Sequence, residues 1–173
     1  KQSDRLVEYA RKYIGTPYRR GSKGPNRFDC SGFMQYIFNH FSYSLNASSA
    51  SQYLQGISVK DEEICRGDLV FFKGRNSRRS NVGHVGLVTE VYPDGRFKFI
   101  HASTSQGIRE DWNFSPYYAQ RYVGARRIYF VQIDKRLILD AILELEDIDD
   151  NTPFTETEKS ITPQEFSTFV RAE

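Results

Sequence analysis

Apolar side chains recur at helical spacing in two stretches near the start of the chain. In residues 3–14 the i, i+3, i+4, i+7 pattern of an amphipathic helix is carried by Leu6, Tyr9, Ala10, Tyr13 and Ile14. In residues 28–41 the same spacing is carried by Phe33, Met34, Ile37, Phe38 and Phe41. We therefore predict two helices, with Cys30 at the N-terminus of the second.

After a polar segment with a short helix predicted at 51–54, the pattern becomes that of β-strands. The strands are predicted at residues 68–73, 82–92, 96–102 and 121–130, and Pro93-Asp94-Gly95 joins the middle two as a hairpin. Helices followed by antiparallel strands indicate an α+β fold, with helices packed on one side of an antiparallel sheet.

The net charge changes sign along the chain. Residues 1–130 contain 20 basic against 11 acidic side chains, whereas residues 131–173 contain 4 against 11, which gives +9 and −7. The acidic segment carries an apolar helical stripe over residues 137–145 and a capping box at Thr162-Pro163-Gln164-Glu165. We predict one domain in residues 1–130 and a small, partly helical C-terminal extension in residues 131–173, which we expect to fold back on the domain.

The sequence shows no membrane-spanning segment. No run approaches the roughly 18 apolar residues that a bilayer requires, and the first residues have neither Met nor the apolar region of a signal peptide. An upstream segment removed by processing is compatible with this beginning.

Cys30 is the candidate nucleophile, because the partial positive charge of a helix N-terminus and a nearby imidazolium lower the pKa of a thiol. Of the three histidines, His40 lies ten residues along the same helix, roughly 15 Å away. His84 begins a predicted strand between two glycines, where another backbone or a substrate can approach closely. His101 ends the next strand, and the hairpin would place it beside His84, where it could orient that base.

The cysteines and histidines also admit other interpretations. Cys65 precedes a turn and is interpreted as a partly buried structural thiol. The two cysteines with His84 and His101 could form a Cys2His2 metal site, but they lack the close pairs that usually organise zinc, so we predict no metal and no cofactor.

Five short motifs, in this order, resemble the NlpC/P60 family of cysteine peptidases. They are Gly15-Thr16-Pro17-Tyr18, Phe28-Asp29-Cys30-Ser31-Gly32-Phe33, Arg66-Gly67-Asp68-Leu69-Val70-Phe71-Phe72, Gly83-His84-Val85-Gly86 and His101-Ala102-Ser103. The resemblance covers about residues 3–130 and implies a papain-like α+β catalytic domain. It also implies cleavage of peptidoglycan stem peptides, commonly between D-glutamate and the diamino acid, and therefore export to the periplasm or outer cell envelope.

The resemblance also assigns roles to residues. Cys30, His84 and His101 fall on the family's catalytic positions. Tyr18 matches a tyrosine whose hydroxyl lies near the reacting carbonyl, and Asp29 and Ser31 match positions that help bind the amine of the stem peptide. The family often has an aromatic residue and paired glycines after the tyrosine, where this chain has Arg19-Arg20-Gly21-Ser22.

Two basic loops precede the candidate nucleophile and the candidate base. They contain Arg19, Arg20, Lys23 and Arg27 in the first and Lys73, Arg75, Arg78 and Arg79 in the second. They are either a solvated surface or a cleft border that attracts a substrate rich in carboxylates. No nucleic-acid-binding motif accompanies them, so nucleic acid is not the expected partner.

Three functions stay open at this level. Hydrolysis of the γ-D-glutamyl-diamino acid bond is the one the resemblance favours. An N-acetylmuramoyl-L-alanine amidase or an acyltransferase on the same fold would use the same acyl-cysteine. A peptidoglycan-binding module without turnover is the alternative outside enzymes.

Overall fold

The computed structural model describes residues 1–128 and 139–143. Both main helices are confirmed: α1 spans Gln2–Arg11 and α2 spans Cys30–His40. The turn that follows α1 exposes half of the Ile14 side chain (51%), so the predicted stripe ends one turn early. The short helix α3 spans Ser49–Gln52, slightly ahead of its predicted position, because Ser48 caps it in a reciprocal capping box.

Six strands form one antiparallel sheet with the order β1-β6-β2-β3-β4-β5. Their bounds are Ile57–Val59 for β1, Leu69–Lys73 for β2, Val82–Val91 for β3, Phe97–Ser103 for β4, Gly107–Trp112 for β5 and Tyr122–Arg127 for β6. The hairpin of β3 and β4 turns at Pro93–Gly95 as predicted. The predicted end of β6 at 129–130 lies outside the described residues.

Two strands, a 3-10 turn at Asp61–Glu63 and a short helix α4 at Pro116–Ala119 were not predicted. β1 has only three residues, and β5 carries three charged residues in succession among its six, so neither shows the apolar alternation of a half-buried strand. Both are edge strands, and each is held in place by hydrogen bonds to its one neighbouring strand rather than by an alternating pattern of apolar side chains.

The sheet has an apolar layer on each face. On one face, α1 and α2 pack their buried stripes, including Leu6, Phe33 and Ile37, against Leu87 and Ile100. The other face carries a smaller cluster of eight residues: Val59, Ile64, Val70, Phe72, Val88, Phe97, Phe99 and Ala125. The α+β class with helices packed on an antiparallel sheet is confirmed.

The chain divides into two units, Lys1–Phe130 and Val131–Glu173. In the second unit residues 139–143 are helical, within the stripe predicted at 137–145, and their side chains are exposed. The capping box at 162–165 lies outside the described residues, and the extension's proposed return to the domain stays a prediction. No helix in the described ranges has the length and apolar character to cross a bilayer.

Candidate active site

The candidate nucleophile is the first residue of α2. Asp29 is the N-cap: its Oδ1 accepts a 2.7 Å hydrogen bond from the Gly32 amide, and its Oδ2 accepts one of 2.9 Å from the Gly21 amide. The Ser31 hydroxyl also points to Oδ1, at 3.5 Å. Asp29 therefore begins the helix and holds the first basic loop beside Cys30.

The thiol of Cys30 faces strand β3. Its Sγ lies 4.0 Å from the carbonyl oxygen of Gly83, the residue before His84. Burial, and then the nearby Asp29 carboxylate, raise the pKa of the thiol to about 11, against the opposing effect of backbone amides including that of Val85. This direction is opposite to the one we expected from the helix N-terminus. The thiol is thus protonated at rest.

The hairpin brings the two candidate histidines into contact. Leu87 pairs with Ile100, and a side chain at Gly86 would meet Phe99 Cδ2 at 2.7 Å and His101 Cβ at 3.3 Å. Glycine at this position therefore allows β4 to pack closely against β3. As a result, His84 Nε2 lies 2.8 Å from His101 Nδ1.

A third residue extends this contact into a chain. His101 is fully buried, and its Nε2 lies 2.7 Å from Asp111 Oδ2 on β5. The other carboxylate oxygen of Asp111 pairs with Arg109 at 3.0 Å. The chain runs from His84 through His101 to Asp111 and its partner Arg109.

The hydrogen bonds that link His84, His101 and Asp111 determine which nitrogen of each imidazole carries the proton. A carboxylate only accepts, so neutral His101 donates from Nε2 to Asp111 and leaves Nδ1 as an acceptor. His84 then donates from Nε2 to His101, and its Nδ1 carries a free lone pair. This tautomer leaves His84 Nδ1 able to accept a proton.

Both imidazoles are neutral near pH 7. Loss of solvent, and then the repulsion that a protonated His101 would exert, lower the pKa of His84 to about 3. Burial is also the main reason that the pKa of His101 is lowered, although Asp111 acts in the opposite direction. The Cys30 thiol and the His84 imidazole are therefore both neutral at rest.

Asp111 was not found from the sequence. The register of β4 and β5 pairs Ser103 with Gly107 and Phe99 with Asp111, which puts Asp111 on the same face as His101. A hairpin assumed across the polar turn at Thr104–Gln106 would have suggested this pairing.

Tyr18 lies close to Cys30. It forms an isolated bridge with Phe28, two residues before Cys30. Burial and then the charge of Cys30 raise the pKa of Tyr18, while Arg20 and Arg75 lower it. The two basic loops therefore each bring one arginine close to the same phenol.

A cavity of about 490 Å³ opens beside His84. Its lining includes Lys73, Arg75 and Arg109, with Asp111 as the carboxylate among them. Gly83 also lines it, and a side chain there would approach Gly74 Cα at 2.8 Å. Glycine at 83 thus allows the second basic loop to leave β2 close to His84.

The predicted substrate cations divide into two groups. Arg75 lines the cavity, and Arg20 acts on Tyr18. Arg19, Arg78 and Arg79 are exposed and do not line the cavity. Of the two, only Arg75 lines the cavity, and a cleft border shared by both loops stays a prediction.

The remaining candidates lie apart from this site. His40 is exposed at the end of α2 and stacks on Tyr9, with ring centroids 3.8 Å apart. Cys65 is exposed rather than partly buried, because it lies in the turn after the 3-10 segment, where its thiol donates to the Glu63 carbonyl at 3.4 Å. Among residues 1–128 and 139–143, no three His, Cys, Asp or Glu side chains group as a metal ion would require, so Cys65 is not joined to the other three predicted ligands.

The family model described as NlpC/P60 family matches residues 15–127. The chain belongs to the NlpC/P60 family. The matched range contains Tyr18, Cys30, His84, His101 and Asp111, so the whole geometry described above lies within the NlpC/P60 domain.

The chain is similar in sequence to two named relatives that share the NlpC/P60 domain. The chain is 34% identical over 125 residues to "Murein DD-endopeptidase MepS/Murein LD-carboxypeptidase" of Escherichia coli (strain K12), covering 72% of this chain and 62% of the relative. It is 33% identical over 132 residues to "Gamma-DL-glutamyl hydrolase" of Bacillus subtilis (strain 168), covering 75% of this chain and 30% of the relative. The alignments thus span less than two thirds of each of these relatives.

The fold is also found in solved structures. An NlpC/P60 family protein from Bacillus cereus superposes with a TM-score of 0.65 at 28% identity, covering 72% of this chain and 39% of that one. This likeness agrees with the α+β architecture described above.

Proposed function

We propose that the protein is a cysteine peptidase of the bacterial cell wall that hydrolyses peptidoglycan stem peptides at the γ-D-glutamyl-diamino acid bond. The observation that carries the proposal is the row of hydrogen bonds from Asp111 through His101 to His84. His84 lies on β3, the strand that the Cys30 thiol faces. The names of the two curated relatives, one a murein endopeptidase and one a glutamyl hydrolase, support the substrate class. Such a substrate implies export to the envelope.

Acylation begins with a neutral pair. As Cys30 Sγ attacks the scissile carbonyl carbon, its proton passes to Nδ1 of His84, and the carbonyl electron pair moves to oxygen. The Cys30 amide and the Tyr18 hydroxyl stabilise this oxyanion. His101 and the Asp111 carboxylate stabilise the imidazolium that forms on His84.

Collapse of the tetrahedral intermediate breaks the carbon–nitrogen bond. His84 gives its proton to the departing amine, and a thioester remains on Cys30. Water then attacks the thioester while His84 takes its proton. The carbon–sulfur bond breaks, the proton returns to sulfur, and the free carboxylic acid leaves.

Asp29 and Ser31 bind the acyl part of the substrate. The Asp29 carboxylate accepts two backbone hydrogen bonds but keeps its negative charge beside the nucleophile. A protonated amine at the start of the stem peptide complements that charge.

The decisive experiment is mass spectrometry of L-Ala-γ-D-Glu-diaminopimelate incubated with the wild type, Cys30→Ala and Cys65→Ala. We expect release of L-Ala-D-Glu by the wild type and Cys65→Ala, and no product with Cys30→Ala. A parallel incubation uses the same tripeptide attached to N-acetylmuramic acid. Cleavage there before L-Ala instead would indicate the amidase, and a transferred acyl group would indicate the acyltransferase. Activity retained by Cys30→Ala would overturn the mechanism.

A further inference from the structure

We propose that the two basic loops form a docking surface for a linear phosphate polymer, an interaction that goes beyond the proposed function and does not depend on it. Five exposed side chains carry this surface, and none of them lines the cavity beside His84: Arg19, Lys23, Arg27, Arg78 and Arg79. We call this set the outer basic surface. Its partner is a soluble polymer whose phosphate groups repeat at short intervals.

The positive charge of the domain is concentrated in these two loops. Residues 1–130 contain 20 basic and 11 acidic side chains, and residues 19–27 and 73–79 hold eight of the basic ones and none of the acidic ones. The rest of the domain therefore has 12 basic against 11 acidic side chains, so the loops contribute +8 of its net charge of +9. A field confined to one part of a surface attracts a polyanion to that part.

The outer basic surface lacks the carboxylate partners that several other basic side chains of the domain have. Arg11 pairs with Glu90 at 2.9 Å, and Arg66 pairs with Glu8 at 3.0 Å. Within residues 1–128 and 139–143, no ion pair joins the five side chains of the outer basic surface to an acidic group. An external anion can therefore bind them without breaking an ion pair within the described part of the chain.

The two loops are neighbours in space, although more than 40 residues separate them along the chain. The first loop leads into Cys30, whose Sγ lies 4.0 Å from the carbonyl oxygen of Gly83. Gly83 packs against the second loop, since a side chain at this position would approach Gly74 Cα at 2.8 Å. The charges of both loops therefore act on one region of the surface, where a single extended ligand can reach them.

Backbone hydrogen bonds hold each loop in place. In the first loop the Gly24 amide donates to the Arg27 carbonyl at 2.8 Å. In the second loop the Arg79 amide donates to the Asn76 carbonyl at 3.1 Å. Because the backbone is already ordered, binding mainly restricts the exposed side chains, which lowers its entropic cost.

The composition of the loops favours a phosphate polymer over other polyanions. Four of the five side chains of the outer basic surface are arginines, and the planar guanidinium binds phosphate oxygens with two parallel hydrogen bonds. Residues 19–27 and 73–79 contain no large apolar or aromatic side chain. The loops therefore have nothing to insert into a membrane and no ring on which a nucleic-acid base could stack.

The experiment measures binding of fluorescently labelled inorganic polyphosphate by fluorescence anisotropy at several salt concentrations. Poly-L-glutamate and vesicles of phosphatidylglycerol with phosphatidylcholine are the comparison probes. The proteins are the wild type, one double variant in each loop and a charge-matched control at exposed positions outside the loops: Lys23→Gln/Arg27→Gln, Arg78→Gln/Arg79→Gln and the control Lys12→Gln/Lys60→Gln. Thermal melting shows that each variant is folded, which we expect because all six side chains are exposed.

We expect each loop variant to bind polyphosphate about tenfold more weakly at low salt, and the slope of log Kd against log salt to fall by about one, because two phosphate contacts are lost. The control should bind as the wild type does. An equal loss in the control would show that net charge alone drives binding, which would overturn the proposal. So would a wild type that binds poly-L-glutamate or the vesicles as tightly as polyphosphate, or that binds none of them.

The outcome is distinguishable from that of the proposed function, because binding is measured without turnover. A wild type that binds polyphosphate but does not cleave the diaminopimelate tripeptide would overturn the proposed function and leave the docking surface standing. A wild type that cleaves the tripeptide but does not bind polyphosphate would do the reverse.

Discussion

The candidate site has two sides, the nucleophile side at Cys30 and the base side at His84, which are built in different ways. Cys30 is positioned within one segment, since its N-cap is the preceding residue and α2 begins with it. The base is positioned by three strands, because His84, His101 and Asp111 lie on β3, β4 and β5. A substitution next to Cys30 therefore disturbs the site locally, whereas any change in the register of the three strands can displace the base side.

The largest effect should follow removal of the base itself. His84→Ala should lower kcat/KM by about 10²- to 10⁴-fold, because His84 is the proposed acceptor of the thiol proton during attack. Steady-state kinetics on the diaminopimelate tripeptide measures the loss, with His40→Ala as the matched histidine control. A His84→Ala rate within tenfold of the wild type would show that another group acts as base.

Loss of Asp111, at the outer end of the base side, should reduce the rate less than loss of His84, but measurably. Asp111→Ala should lower kcat by about tenfold to a hundredfold with little change in KM, because His101 loses the acceptor that fixes its tautomer. Asp111→Asn should recover part of the loss, since its amide oxygen can accept from His101 Nε2. A merely structural role predicts a lower melting temperature with kcat of the folded enzyme unchanged, and equal losses for both variants would argue against control of the tautomer.

The contrast between the two sides also explains what the sequence could predict. Asp29, Cys30 and the apolar stripe of α2 are neighbours along the chain, so helix rules correctly placed Cys30 at the N-terminus of α2. The contact of His84 with His101 followed from one short hairpin. These parts depend on local spacing alone.

Asp111 depends on a register that its strand does not encode by hydrophobic alternation. β5 reads as polar from Arg109 to Asp111, and its position follows from pairing with β4. The raised pKa of the Cys30 thiol was also beyond the sequence, because the extent of burial follows from the packing of β3 over α2. Long-range contacts therefore determined both differences.

Backbone contact on the base side can be tested through stability. Gly83→Ala should lower the free energy of unfolding by about 1–3 kcal/mol, because the added Cβ would lie 2.8 Å from Gly74 Cα. Gly74→Ala is the matched control, since its nearest neighbour would be 3.9 Å away. Chemical denaturation measures both variants, and equal losses would show that the close approach of Gly83 to Gly74 is not the cause.

The charge state of the Cys30 thiol can be tested by alkylation. With a pKa of about 11, the rate of Cys30 alkylation by iodoacetamide should rise about tenfold per pH unit from pH 6 to 9, because only the thiolate reacts. The measurement requires a Cys65→Ser background, since Cys65 is exposed. A rate already constant in this range would show instead that a thiolate–imidazolium pair exists at rest.

Substitution of the cap separates its charge from its hydrogen bonds. Asp29→Asn keeps an acceptor for the Gly32 amide but removes the negative charge that raises the thiol pKa, so that pKa should fall and alkylation at pH 8 should become several-fold faster. Asp29→Ala should produce the same acceleration with a loss of about 1 kcal/mol in stability, because the cap is lost as well. Slower alkylation in a folded Asp29→Asn variant would mean that the carboxylate favours the thiolate, contrary to the electrostatics described here.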